Sequence, residues 1–145
     1  MTLQEKYRAM LGEAESAFSK RAKELEDYRE ETARAICEYL VRTFSGRIEQ
    51  ALDLKKIEDG TITEIKRTFI LGCTIEGSEF NVNEVNEDKT KLNNFALDTT
   101  KLKGNLMKKF LELLKRKLKE NGIETDIDKG TCSNFQVVVT LSSES

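Results

Sequence analysis

Proline is absent from all 145 residues of this chain, so nothing in it forces a helix to kink or stop. Across residues 3–54 only two glycines interrupt a run rich in Ala, Glu, Lys, Arg and Leu, which are strong helix formers. Thr2 followed by Glu5 fits a capping box at the start of this run. The sequence therefore predicts one very long N-terminal helix, with Ser45-Gly46 as a candidate break.

Apolar residues recur along the predicted helix at the spacing of a single face. The stripe is thin at first and thickens from Ile36 onward, which indicates a projecting first half and a second half docked on a core. A half-apolar helix of this length rarely stays single in water. We therefore predict a helical arm, residues 1–35, that serves as an oligomerisation or partner surface, and a single α+β domain, residues 36–145. The predicted oligomer interface consists of Leu11, Phe18, Leu25, Tyr28 and Tyr39.

The second part of the chain changes from helical to alternating periodicity. Apolar residues alternate over 65–75 and again after a Gly77-Ser78 turn, which predicts a hairpin. Residues 102–120 carry a strong helical stripe, which Thr99 or Thr100 can cap and which Asn121-Gly122 ends. Two more alternating segments follow. The predicted fold is α+β, in the order α-β-β-α-β-β: a four-stranded, mostly antiparallel sheet with one amphipathic helix beside the long N-terminal one.

No residue set in the sequence is typical of a catalytic or metal site. The chain has no histidine, which is the commonest general base, and its three cysteines (Cys37, Cys73 and Cys132) have neither a histidine nor a CxxC partner. No phosphate-binding glycine motif occurs. We expect no enzyme activity, no cofactor and no metal. The odd cysteine count, the lack of a signal peptide and the lack of a long apolar run predict a cytoplasmic protein that does not enter membranes.

Two polar features are candidates for ligand binding. Arg67 interrupts an apolar row of the first predicted strand. It could bind an anion, it could equally pair with an acid of the first helix, or the end of the strand could twist clear of the core. Residues 83–100 are predicted to form a long loop rich in asparagine, a residue that suits polar ligands but is also common in turns. A small anionic ligand or a nucleotide would fit these groups. The candidate residues are Arg67, Asn83, Asn86, Asn93 and Asn94.

The second predicted helix carries the strongest concentration of positive charge, with eight cations and a single acid over 101–119. Such a surface can contact phosphates. Lysines also commonly form the solvated side of an amphipathic helix, and the net charge of −2 argues against a general attraction to nucleic acid. The basic surface consists of Lys101, Lys103, Lys108, Lys109, Lys115, Arg116, Lys117 and Lys119.

The pattern favours a protein that works by presenting surfaces to a protein partner or a small ligand. The first hypothesis is a non-enzymatic binding protein that acts as an oligomer: an inhibitor, an adaptor or a ligand-sequestering protein, of the kind that phages direct at host systems. One alternative is a nucleic-acid-associated protein that uses the basic surface. Another is a dimer resembling the small acidic secretion chaperones, although this chain lacks a helix at its C-terminal end.

Overall fold

The computed structural model describes residues 1–52, 58–60, 66–84, 91–127 and 134–142. Helix α1, Leu3–Ala51, runs for 49 residues, which corresponds to about 73 Å. Its capping box is formed, because the Thr2 hydroxyl accepts from the Glu5 N–H while the Glu5 carboxylate accepts from the Thr2 N–H. The candidate break at Ser45-Gly46 is wrong: the Ser45 hydroxyl donates to the Val41 carbonyl inside a continuous helix.

Five antiparallel strands form one sheet, whose spatial order is β3-β2-β1-β5-β4. The central strand, β1, pairs with β2 through the predicted Gly77-Ser78 turn and with β5 on its other side. Gly77 has a φ of +56°, which suits the left-handed backbone that a tight hairpin needs. The strands are β1, Lys66–Glu76; β2, Glu79–Glu84; β3, Lys91–Ala96; β4, Glu124–Thr125; and β5, Asn134–Ser142.

The strand count corrects the prediction of four. The additional strand is β3, which lies inside the polar segment 83–100 that was predicted to be a loop. It forms because its backbone completes the ladder of β2, and Phe95 places one ring against that of Phe80 with centroids 6.5 Å apart. The strand that precedes β5 in the chain is shorter than expected. Strand β4 spans only two residues, and after it the Gln136 N–H donates to the Asp126 carboxylate.

Helix α2, Asn105–Glu120, begins three residues later than the predicted span and ends where predicted. Gly104 occupies its N-cap position with a φ of +60°. The predicted threonine cap is wrong, because the Thr100 hydroxyl bonds to the Asp98 carboxylate instead. At the C-terminal end, Gly122 adopts a φ of +77° and its N–H donates to a carbonyl of the last helical turn, as expected of an Asn-Gly stop.

Both helices cover the same face of the sheet and bury a continuous core against it. From α1 the core takes the residues from Ala33 to Phe44 that lie on one side of the helix, and from α2 it takes Phe110, Leu111, Leu114 and Leu118. The opposite face of the sheet carries mainly polar side chains such as Thr68, Gln136 and Thr140, all exposed. No helix of the described residues has an apolar stretch long enough to cross a membrane.

Candidate functional site

The first part of the arm stands away from the rest of the molecule. Every residue up to position 24 is exposed, and Ala33 is the first residue of α1 that is buried. Large apolar side chains lie in this exposed stretch. Phe18 keeps 75% of its surface exposed and Leu11 keeps 45%, with Tyr7 and Met10 more exposed than Leu11. A helix that projects with this much apolar surface presents an unused contact area.

The exposed apolar residues lie on the same side of α1 as its buried ones. Leu11 and Phe18 precede the core residues Ala33 and Leu40 by twenty-two positions each. At 100° per residue, a separation of twenty-two positions rotates the side chain by about 40° beyond whole turns. The stripe of the arm therefore continues the core-facing side of the helix beyond the end of the core.

A groove opens where the arm leaves the domain, between α1 and the start of α2. Its volume is about 300 Å³. The floor is apolar and three cations stand among the lining side chains, so an occupant with an apolar ridge and neighbouring acids would match it. We call this the arm groove; it is lined by Phe18, Arg21, Ala22, Leu25, Arg29, Leu106 and Lys109.

The structure divides the five residues of the predicted oligomer interface into two groups. Leu11 and Phe18 are exposed, and Leu25 lines the arm groove. The two tyrosines are engaged within the molecule itself. The Tyr28 hydroxyl accepts a hydrogen bond of 2.7 Å from the Asp98 N–H. The Tyr39 ring meets the Phe95 ring edge-on, at a centroid distance of 5.4 Å.

Several cations of the basic surface interact with other groups of the same chain. The Lys117 ammonium lies 2.6 Å from the Glu30 carboxylate, and this hydrogen bond lowers the pKa of Glu30 below its usual value. The Lys101 ammonium lies 5.0 Å from the centre of the Tyr28 ring. Lys115 is half-buried and also interacts with another group. The exposed members of the basic surface are Lys103, Lys108, Lys109, Arg116 and Lys119.

The structure separates two of the predicted ligand-binding residues, Arg67 and Asn83. Arg67 is exposed, and its guanidinium lies 5.5 Å from the centre of the Phe69 ring. Asn83 pairs with Gly72, which is five residues and about 17 Å along β1 from Arg67, on the opposite face of the sheet. Asn93 and Asn94 belong to β3 and pair with Val82 and Asn81 in the ladder. Asn86 lies outside the described residues, as does Cys132.

The burial of one polar residue, Asn81, was not predicted from the sequence. It is 2% exposed, and its amide oxygen has no hydrogen-bond partner among the described residues. It lies between Phe80 and Val82, so alternation placed it on the polar face of the sheet and suggested exposure. On that face its neighbour in the ladder, Thr74, donates a hydrogen bond to the Asn134 amide oxygen. Strand β2 alternates polar and apolar residues, so no local signal in the sequence marked Asn81 as buried.

Neither described cysteine has an environment that would activate it. Burial raises the pKa of Cys73 far above its usual value, since an apolar environment disfavours the thiolate. Burial also raises the pKa of Cys37. In the parts of the chain that the structure describes, no three potential metal ligands of the His, Cys, Asp or Glu type gather at one place. These thiols stay protonated near neutral pH.

The arm and its groove are therefore the most distinctive exposed features of the molecule. Comparison with known proteins gives no match of this chain to a protein-family model, a curated protein or a solved structure.

Proposed function

We propose that the protein is a cytoplasmic, non-enzymatic binding protein that works as an oligomer, in the role of an inhibitor, an adaptor or a ligand-sequestering protein. The observation that carries this proposal is the exposed apolar stripe of the arm, above all Phe18 at 75% exposure. Soluble monomers rarely present aligned large apolar side chains on a projecting helix without a partner to cover them. The arm supplies the association surface in this proposal, and the domain supplies the binding surfaces.

Contacts of the basic surface within the chain favour this proposal over nucleic-acid binding. Phosphate contacts require cations that are available to the polymer. Lys117 forms an ion pair with Glu30, and the Lys101 ammonium lies over the Tyr28 ring. These two cations of the basic surface are therefore less available to phosphates. Leu11 and Phe18 of the arm, in contrast, remain exposed.

Sedimentation equilibrium of the full chain tests the association directly. We expect a mass above the 16.6 kDa of one chain, and we expect Phe18→Glu to return the mass to that value. Ser16→Glu is the matched control, because it adds the same charge two positions away, on the opposite side of the helix. A wild-type mass of one chain at high micromolar concentration would contradict the proposal.

Titration with single- and double-stranded nucleic acid at several salt concentrations tests the competing function. A protein that neutralises several phosphates binds far more weakly as salt rises. We expect no such salt-dependent binding. Binding that falls steeply with salt and weakens further in a Lys108→Gln, Lys109→Gln double variant would replace our proposal by nucleic-acid association.

A further inference from the structure

We propose that the arm groove is occupied by the arm of a second copy of this chain, in an antiparallel pair with Phe18 of both chains at the two-fold axis. This inference rests on the proposed oligomer and adds its geometry. In such a pair two residues face each other when their numbers add up to 36. A two-fold interface is self-complementary. The surface of the arm must therefore fit the same surface of a second arm that runs in the opposite direction.

Four apolar residues of the arm are placed symmetrically about Phe18. Ala14 and Ala22 lie four positions to either side, and Leu11 and Leu25 lie seven positions to either side. The antiparallel pair therefore sets Leu11 of one copy against Leu25 of the other and Ala14 against Ala22. The small alanines beside each Phe18 leave room for the phenyl ring of the second copy, in the manner of a side chain that fits a hole on the facing helix.

Two charged residues on the Phe18 side of the arm have opposite signs and are placed symmetrically about Phe18. Glu15 and Arg21 lie three positions to either side of Phe18, within about 60° of its direction around the helix. In the antiparallel pair Glu15 of each copy faces Arg21 of the other, and the two-fold axis repeats this contact. A parallel pair in register would set Arg21 against Arg21 and Glu15 against Glu15, which is repulsive.

The arm groove matches the segment that this register delivers to it. The groove is lined by Leu25 and Leu106 together with the cations Arg29 and Lys109. Leu11 of the second copy arrives opposite Leu25, and Glu15 of the second copy arrives opposite Arg21, which also lines the groove. Its volume of about 300 Å³ is adequate for such a side chain, since a cavity of about half that size holds a benzene molecule. Shape and charge of the groove therefore both fit the arm itself.

Charge reversal at one facing pair tests the register. We would measure the dissociation constant of the full chain and of the Glu15→Lys and Arg21→Glu variants by sedimentation velocity. Each single variant turns two attractive contacts of the pair into repulsive ones, so we expect association to weaken by about tenfold or more. Both side chains are exposed or line the groove, and far-UV circular dichroism confirms that the helix is kept.

Mixing the two variants gives the decisive measurement. In a mixed pair the lysine introduced at position 15 of one chain would face the glutamate introduced at position 21 of the other, and the unchanged Arg21 would face the unchanged Glu15. We therefore expect the mixture to associate about as tightly as the wild type, and the double variant should recover in the same way. A mixture as weak as its components, or single variants as tight as the wild type, would overturn the antiparallel register. If Phe18→Glu still abolishes association in that case, the proposed oligomer stands and only its geometry fails.

Discussion

Removal of the Phe80 ring tests the account of the core most sharply. Phe80 is 0% exposed on the helix-covered face of β2, and its ring lies 5.8 Å from the centre of Phe135 and 6.5 Å from that of Phe95. Three elements of the sheet, β2, β3 and β5, therefore meet at this side chain. Phe80→Ala removes the apolar area and leaves a cavity in a place where β1 and the two helices prevent collapse.

The expected loss follows from the burial. Truncation of a fully buried phenylalanine costs about 3–5 kcal/mol of unfolding free energy, and the central position of Phe80 places it in the upper half of that range. Phe18→Ala is the matched control, because it deletes the same atoms from a side chain that is 75% exposed. At a protein concentration where the chain is monomeric, that control should change the unfolding free energy by less than about 0.5 kcal/mol.

Urea denaturation followed by far-UV circular dichroism measures both variants. The protein concentration must lie below the association range, since association stabilises the folded state and would mix the two effects. We expect a lower midpoint for Phe80→Ala with an unchanged slope, which marks a change of stability and not of the unfolded state. A loss below about 1 kcal/mol at Phe80, or equal losses at both positions, would refute the assigned packing.

Two further predictions concern the backbone and pH. Gly104→Ala places a Cβ at φ +60° and ψ −121°, where only glycine is unstrained, so the unfolding free energy should fall by about 1–3 kcal/mol. Gly46→Ala, inside α1 with nothing within 4 Å of the new Cβ, should raise it by about 0.5–1 kcal/mol in the same urea assay; opposite signs would contradict the assigned conformations. Hydrogen bonds hold the pKa of Asp98 and of Glu30 below their usual values, so their stabilisation is present above the unfolded pKa of about 4 and is lost as pH falls through the folded pKa. The Asp98→Asn, Glu30→Gln double variant should therefore lose less stability than the wild type from about pH 6 to about pH 3, and equal losses in the two proteins would refute this.

The helices and the first hairpin could be predicted because their signals are local. The capping box at Thr2 and the Asn121-Gly122 stop depend on residues within one or two turns, and both are formed. Strand β3 could not be predicted in this way. Its sequence, KLNNFA, has almost no alternation, and it forms because β2 offers an unpaired ladder and Phe80 offers a ring for Phe95. That partnership is visible only once the sheet is assembled.

The candidate site shows the same division. The stripe of the arm was predictable, because Leu11 and Phe18 follow the helical period of a single continuous segment. The arm groove was not, since Leu106 and Lys109 reach it from a part of the chain some eighty residues away. Tyr28 and Tyr39 fit the stripe by spacing alone, and only the fold shows that Asp98 and Phe95 already engage them.

The continuity of α1 has a consequence for the reach of the proposed pair. Fifteen residues separate Phe18 from Ala33, where the core begins, so the two domains of an antiparallel pair would lie about 45 Å apart, measured along the helices. A helix without a break keeps that spacing fixed, whereas a flexible linker would sample many distances. The pair would thus favour targets with two binding sites at a matching interval, and it would gain avidity only for those.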